Sequence, residues 1–345
     1  MRRRKFISAG LRAGFGLAAI SVAGCASAGN SKKDQNASKR RENAQDSNLK
    51  GGASNRFKMK FAPRQWLFRN VAGKDEAGRM RWLKEQGFYA LEGAFFIQPM
   101  KKYSSEEIDR QLKIGECAAE FGFEMGGCSA MNEKDSPIMS GEKFKMPDGK
   151  VVLGRSAIRD LLVEQMEATF AVLRRLRSCA FIIGAGSKDP SLPDEKQFEN
   201  VVENLKFCAR HCERNGFTML IEPLNTSSHP NIYFDNATLG AKASALVGSK
   251  NCRILFDIFH EHMQTGSLKS LENPDVWSQI GAFHFSDSPT RQEPFTGKID
   301  YRRLMGLLKR NNWSGIIGLE HGQSLKGAKG DLKVLEAYRK LDAMI

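Results

Sequence analysis

Four residues with side chains that bind metal ions lie at or near the ends of short apolar segments. Glu222, Asp257 and Glu320 each follow directly on such a segment, and His284 lies near the end of a fourth. If these segments are parallel strands of a closed barrel, their carboxyl ends open on one face, where the active sites of such barrels lie. We therefore expect the four side chains to converge on one site.

Three carboxylates cannot share a small, partly dry space unless they are protonated or neutralised, and a divalent cation would neutralise them. Carboxylate oxygens with one imidazole nitrogen suit Mn²⁺ or Mg²⁺ best, and Co²⁺, Fe²⁺ or Zn²⁺ are also possible. Taken alone, Asp257 is equally well explained as a helix N-cap, and His284 as a hydrogen-bonded core histidine. The four together favour a shared metal site.

Short apolar segments alternate with longer amphipathic ones from residue 57 onward. The predicted strands are 57–61, 88–95, 123–128, 180–185, 218–224, 253–258, 281–285 and 315–320. The predicted helices include 105–121, 158–177, 194–215 and 301–311. Strict strand–helix alternation favours a parallel sheet, and we predict an α/β fold, a closed (β/α)₈ TIM barrel. A doubly wound sheet is the rival, but no glycine-rich dinucleotide-binding sequence follows the first strand.

The connection over residues 131–155 is unusually long and contains proline, glycine and many charged residues. Loops of this length without secondary structure of their own are uncommon in compact domains and often have a function. Closing over an active site is one such function. A lid is therefore one prediction for this connection, and the sequence leaves open whether it closes over the site.

Four segments resemble the hydroxypyruvate isomerase family, which lies within the wider xylose-isomerase-like barrel superfamily. They are residues 221–225, 256–260, 284–301 and 313–320, and the Asp-Ser-Pro-Thr-Arg-Gln-Glu-Pro-Phe-Thr-Gly sequence at 287–297 is the most specific. The resemblance extends from about Lys58 to the C-terminus. The superfamily also holds ketose 3-epimerases and inosose dehydratases. Ser228 stands where the epimerases tend to carry another glutamate, which argues mildly against ketose epimerisation.

The resemblance implies a role for each candidate site residue. Glu222, Asp257, His284 and Glu320 would be the metal ligands. Glu222 and Glu320 would also be the catalytic acid/base pair, on opposite faces of the substrate, and would move a proton between adjacent carbons through an enediolate. His260 and Arg291 would hold substrate oxygens. A salt bridge from Arg291 to Glu293 on the same loop is the alternative for that arginine, and His262 could take the place of His260.

The N-terminus is typical of an exported protein and is set apart from fold reasoning. Arg2, Arg3 and Arg4 precede Lys-Phe-Ile in a twin-arginine pattern, and a short apolar run follows. Val-Ala-Gly before Cys25 resembles a lipobox, which makes Cys25 a candidate for lipidation; cleavage without lipidation is the alternative. We predict a signal peptide over 1–25, a flexible linker over 26–55 and a catalytic barrel over 56–345, with the protein periplasmic or membrane-anchored.

Charge and composition restrict the function classes further. Residues 1–50 carry 11 Lys and Arg against 3 Asp and Glu, so +8 of the net charge of +14 lies there and the barrel is only mildly basic. A nucleic-acid partner is therefore not expected, and six histidines are few for an endonuclease of this barrel type that uses several zinc ions. We predict a metal-dependent isomerase acting on a small sugar or keto acid. The alternatives are a sugar epimerase or dehydratase, or a non-catalytic carbohydrate-binding lipoprotein. The sequence leaves the oligomeric state open.

Overall fold

A computed structural model describes residues 55–345 apart from 74, 94–95, 131–137 and 146–148. The predicted leader, Cys25 and all but the last residue of the predicted linker lie outside these residues, so those expectations stay predictions. No helix in the described part of the chain combines the length and the apolar composition needed to cross a bilayer.

The strands form a parallel sheet that curls into a barrel. In chain order they are β1 (Lys60–Pro63), β2 (Ala90–Leu91), β3 (Glu124–Met125), β4 (Cys128–Ser129), β5 (Lys143–Lys145), β6 (Val151–Leu153), β7 (Ala180–Ile183), β8 (Thr218–Ile221), β9 (Cys252–Asp257), β10 (Ile280–Phe285) and β11 (Ile316–Leu319). The order in the main sheet is β1-β11-β10-β9-β8-β7-β4, and β2 pairs with β3. The Glu92 backbone N–H donates to the Pro63 carbonyl at 3.3 Å and joins β2 to β1. This bond closes the ring, as the predicted TIM barrel requires.

Helices cover the outside of the barrel. They are α1 (Glu76–Glu85), α2 (Ser105–Glu120), α3 (Arg155–Leu176), α4 (Asp194–Asn215), α5 (Ala237–Val247), α6 (Ile258–Thr265), α7 (Pro274–Trp277), α8 (Tyr301–Arg310) and α9 (Gly327–Asp342). Their ends follow local chemistry. Ser104 and Glu107 form a capping box at the start of α2, and Gly216 ends α4 with a φ of 74°, a conformation that glycine adopts without strain.

The apolar residues form two layers. A large cluster fills the space between the sheet and the helices, as expected for strands whose outer faces are covered. A small one lies inside the barrel and consists of Ala180, Ile182, Leu220, Leu255 and Ala282. Gly127 and Gly281 leave the room for this inner layer, since a Cβ at either position would press on Ile182 or Leu220. A packed interior of this kind leaves the strand ends as the place where active sites of such barrels lie.

The predicted elements differ from the observed ones mainly in the first half of the chain. The third predicted strand is split into β3 and β4 around Gly126 and Gly127, and the first lies at Lys60–Pro63 rather than at 57–61. Glycine has no side chain to pack and often marks a bend in a strand. Part of the connection predicted as a loop forms an antiparallel pair of strands, β5 and β6. The side chain of Phe144, on β5, is buried.

Candidate metal centre

Four neighbouring strands bring the predicted ligands together at their carboxyl ends. Glu222 follows β8, Asp257 ends β9, His284 lies on β10 and Glu320 follows β11. One potential ligand atom from each residue lies within 4.8 Å of those of the other three. Asp257 and His284 are also paired in register across β9 and β10, which fixes their relative height. Residues almost 100 positions apart in the sequence come together because the parallel strands that carry them end on the same face of the barrel.

The unsatisfied atoms of this group are those that a cation would need. Glu222 Oε1, His284 Nδ1 and Glu320 Oε2 are buried and make no hydrogen bond of suitable geometry among the described residues, although Nδ1 and Glu320 Oε2 face each other at 2.6 Å. Buried polar atoms are normally hydrogen-bonded, and exceptions in native structures call for an explanation such as an ion. Three convergent orphan atoms of types that bind hard divalent cations fit a metal site.

Asp257 serves two purposes with its two oxygens. Its Oδ1 accepts the backbone N–H groups of Phe259 at 2.8 Å and His260 at 3.1 Å and so caps α6. Its Oδ2 faces the site, 3.9 Å from His284 Nδ1. The N-cap interpretation and the ligand interpretation of Asp257 therefore do not exclude each other. The hydrogen bonds to Oδ1 at the start of α6 hold the carboxylate in place, so that Oδ2 stays directed at the site.

His284 is held between carboxylates on both sides of its ring. Nδ1 lies 2.6 Å from Glu320 Oε2 and 3.5 Å from Glu222 Oε1, while Nε2 lies 2.8 Å from Glu92 Oε2. Glu92, which is fully buried at the end of β2, was missed by sequence reasoning. Gly318 on β11 makes room for it, because a Cβ at that position would overlap with the Glu92 carboxylate. A carboxylate behind a metal-binding histidine fixes the ring and its tautomer.

The charges of the site shift several pKa values. Burial raises the pKa of Asp257, and the nearby charges of Arg291 and His284 only partly offset this effect. Burial acts in the same direction on Glu320, but His284, Arg64 and Arg291 together hold its pKa well below the usual value. Burial alone would lower the pKa of His284, yet Glu92 and Glu320 raise it well above the usual value. In the metal-free structure, His284, Arg64 and Arg291 thus offset part of the negative charge of the carboxylates.

Two arginines contact Glu320, one on each carboxylate oxygen. Arg291 Nη2 lies 3.3 Å from Oε2 and also 3.2 Å from Asp257 Oδ2. Arg64, which follows β1, places Nη2 2.7 Å from Oε1. The alternative pairing of Arg291 with Glu293 is not observed: Glu293 pairs with Lys333 and accepts hydrogen bonds from Ser324. Arg64 is the second site residue that sequence reasoning missed.

His260 lies beside Arg291, next to the cluster of four; that the two hold substrate oxygens stays a prediction. It is on the first turn of α6, almost fully buried, with Nε2 2.8 Å from Arg291 Nη1. Burial lowers the pKa of His260 to about 3, so its ring is neutral at pH 7. His260 and Arg291 thus border the cluster of four on one side.

A model of the xylose isomerase-like TIM barrel family matches residues 80–338, which include the four clustered side chains and Glu92. The chain belongs to this family. The hydroxypyruvate isomerase of Escherichia coli (strain K12) is 28% identical over 155 residues, 45% of this chain and 59% of that protein. The 2-oxo-tetronate isomerase of Cupriavidus necator is 30% identical over 137 residues, 40% of this chain and 52% of that protein. The chain thus spans between about half and three fifths of the length of these curated relatives, and the resemblance inferred from its motifs is confirmed.

Solved structures with the same fold are more distant in sequence. The AP endonuclease, family 2, from Brucella melitensis has a TM-score of 0.61 at 17% identity, covering 79% of this chain and 96% of that one. The IOLI protein, whose structure holds a zinc atom, also has a TM-score of 0.61, at 14% identity over 83% of this chain and 98% of that one. At such identities the likeness concerns the barrel fold.

The remaining candidate residues lie outside the cluster of four. His262 borders a separate cavity of about 170 Å³ with Lys298 and Arg303, and its Nδ1 is 3.0 Å from Ser288 Oγ. His262 therefore does not replace His260. His321 is turned away from the site, with Nε2 3.0 Å from the Tyr338 hydroxyl.

Proposed function

We propose that this protein is a divalent-metal-dependent isomerase that moves a proton between adjacent carbons of a small hydroxy-keto acid. The convergence of Glu222, Asp257, His284 and Glu320 within 4.8 Å carries the proposal. The relatives named as isomerases of hydroxypyruvate and 2-oxo-tetronate support the substrate class. Mn²⁺ or Mg²⁺ suits the donor set best.

The four residues would hold the cation through three carboxylates and the Nδ1 atom of His284. A cation bound there would polarise the substrate carbonyl and stabilise the negative charge that develops on its oxygen. Glu92 would keep Nδ1 directed at the site, because it lies 2.8 Å from the other ring nitrogen.

Glu222 and Glu320 would act as the acid/base pair. Their strands, β8 and β11, are separated by β9 and β10, so the two carboxylates enter the site from opposite sides. Both side chains are partly accessible, at 12% and 22%, whereas Asp257 is closed off. One glutamate would remove the proton next to the carbonyl and the other would return a proton to the neighbouring carbon.

Arg291 and Arg64 make an acid a better substrate than a neutral sugar. Both guanidinium groups reach the site and contact the same carboxylate in the absence of substrate. A planar guanidinium binds a carboxylate through two parallel hydrogen bonds. The carboxylate of a keto acid would therefore find a partner at the edge of the metal site.

The test is an isomerisation assay of the purified protein, stripped of metal and reloaded with Mn²⁺, Mg²⁺, Co²⁺ or Zn²⁺. The substrates are hydroxypyruvate, 2-oxo-tetronate, D-fructose and D-tagatose, and products are followed by NMR. We expect metal-dependent isomerisation of the keto acids and at least about tenfold lower kcat/KM for the ketoses, since they lack the carboxylate. Epimerised ketose or a dehydrated product would overturn the assignment, and so would full activity without metal.

We further propose that the protein is exported by the twin-arginine route and held at a membrane through lipid on Cys25. The basis is the arginine pair, the short apolar run and the lipobox-like residues before Cys25. Fractionation of cells expressing the full chain, with a Cys25→Ala variant, tests this. Membrane association that survives Cys25→Ala, or retention of the wild type in the cytoplasm, would contradict it.

A further inference from the structure

The side-chain amide of Asn225 has one orientation only. Asn225 follows β8 and is almost fully buried. The backbone N–H of Ser228 lies 2.9 Å from one of its terminal atoms, and the Ser227 hydroxyl lies 2.6 Å from the same atom. A backbone N–H can only donate, so this atom must be the amide oxygen, Oδ1. The amide nitrogen, Nδ2, is therefore the atom on the other side.

That orientation directs two donors at one nitrogen of His260. Asn225 Nδ2 lies 2.7 Å from His260 Nδ1, and the Asn225 backbone N–H donates to the same Nδ1 at 3.1 Å. A ring nitrogen that faces two donors must offer its lone pair. A neutral imidazole carries one proton, which must then be on Nε2. The structure around Nδ1 thus fixes the tautomer of His260.

The Nε2–H group that results faces another donor. Arg291 Nη1 lies 2.8 Å from His260 Nε2, and a guanidinium has donors but no acceptor. The carboxylate atom Asp257 Oδ2 lies 4.0 Å from Nε2, beyond hydrogen-bond distance. Two donors at this separation cannot bond to each other. They can both bond to an oxygen placed beside them.

We propose that Asn225 is a positioning residue that fixes His260 as a hydrogen-bond donor, so that His260 and Arg291 together bind one negatively charged oxygen of the substrate. That this oxygen belongs to a substrate rests on the proposed isomerase function. In this role His260 donates and does not take a proton. Proton transfer is then left to Glu222 and Glu320, which agrees with their entry from opposite sides of the site.

The first test reads the tautomer directly in protein labelled with ¹⁵N-histidine, without substrate. The His260 signals are assigned by comparison with a His260→Gln variant. We expect an unprotonated Nδ1 and a protonated Nε2 in the wild type. Asn225→Ala keeps the backbone donor and should keep this tautomer. Asn225→Asp places a carboxylate oxygen against Nδ1 and should protonate it. A protonated Nδ1 in the wild type, or unchanged signals in Asn225→Asp, would overturn the proposal.

The second test is kinetic and uses the same variants. Asn225→Asp should lower kcat/KM by at least about tenfold, because the site loses a hydrogen-bond donor to a charged oxygen of the substrate. Asn225→Ala should lose less, although aspartate resembles asparagine more closely in shape. Asn236→Ser is the control, because Asn236 caps α5 by accepting the Leu239 N–H and serine caps about as well. A purely structural role for Asn225 would reverse the order of the first two variants.

The two proposals fail in different ways. If the wild type isomerises no keto acid but shows the expected tautomer, the proposed function is wrong while the role of Asn225 as the residue that sets His260 stands. If turnover is normal and His260 carries its proton on Nδ1, the role of Asn225 is wrong and the isomerase function stands.

Discussion

Glu92 is a buried carboxylate whose only described side-chain partner is a predicted metal ligand. Its Oε2 lies 2.8 Å from His284 Nε2, and its Oε1 has no hydrogen-bond partner among the described residues. Burying an ionised carboxylate is costly unless it is paired. With a cation bound, the pairing would orient the imidazole and direct the Nδ1 lone pair at the metal site.

Replacement of Glu92 should weaken metal binding without unfolding the barrel. We expect Glu92→Leu to reduce Mn²⁺ affinity by about 10- to 100-fold, the usual effect of removing such a partner. Glu92→Gln should lose less, because its amide oxygen can still accept from Nε2–H. Isothermal titration of Mn²⁺ into the metal-free protein measures the change. Glu124→Gln is the control, since Glu124 on neighbouring β3 pairs with Lys60. Unchanged affinity in Glu92→Leu, with native circular dichroism, would show that Glu92 does not support His284.

The four clustered residues could be predicted from the sequence because each interrupts or ends a clear apolar segment. Glu92 has a similar signal, since it directly follows the two-residue strand β2. It was missed because apolar residues continue after it, at 94–97, and made it look like the middle of a longer strand. Arg64 follows β1 but carries no sign of its partner, Glu320, which lies 256 positions later. Contacts of that range depend on the closure of the barrel.

At the scale of elements, the connection between β10 and α8 is the one that holds Arg291. Asp287 at its start is fully buried and accepts backbone N–H groups from Ser288 at 2.8 Å, Thr296 at 3.0 Å and Ile299 at 3.2 Å. The Arg291 N–H donates to the Asp287 carbonyl at 2.9 Å. Arg291 itself has a φ of 51°, an uncommon conformation for a residue with a side chain. The loop therefore depends on one carboxylate for its shape.

Asp287→Ala should release Arg291 from the site. We expect KM for a keto acid to rise at least about tenfold. Mn²⁺ affinity should change little, because the four clustered residues lie on or directly after the strands β8 to β11 and not on this loop. The loss of hydrogen bonds to a buried charge should also cost about 2 kcal/mol or more of unfolding free energy. Asp300→Ala on the same connection is the control: Asp300 caps α8 through Arg303 N–H, so it should cost about 1 kcal/mol and leave KM unchanged. Steady-state kinetics and urea denaturation separate the two, and equal KM values in both variants would contradict the role of Asp287.

The connection after β4 is where sequence reasoning was least complete. The prediction of a lid over 131–155 came from its length and polar composition. The hairpin β5–β6 lies within it, with Phe144 buried but Val151 and Leu153 more than half exposed. Its strands have only three residues each, too few for a clear alternating pattern in the sequence. Closure over the site stays a prediction.

At the scale of the whole molecule, Asp342 is one of the residues of α9 that join the last segment of the chain to the first, alongside Asp331, which accepts the Asn70 N–H at 2.8 Å. Asp342 at the end of α9 accepts the backbone N–H groups of Lys58 at 2.9 Å and Met59 at 3.0 Å, just before β1. The number and alternation of the strands were sufficient to predict a closed barrel. They did not reveal the residues that close it, because Asp342 and Lys58 lie 284 positions apart and follow no local pattern. Closure matters for function, since it brings Arg64 to Glu320.

Deuterium transfer into the substrate reports directly on proton removal by the two glutamates. The measurement compares the Mn²⁺-loaded wild type with Glu320→Gln in D₂O, with hydroxypyruvate as substrate and NMR as the readout. We expect the wild type to incorporate deuterium next to the carbonyl. Glu320→Gln should lower the exchange rate at least about 100-fold, which is the lower end of the rate gain that a general acid or base usually contributes. Its circular dichroism should stay native. Wild-type exchange that needs no metal, or full exchange by Glu320→Gln, would contradict metal-dependent isomerisation by this pair.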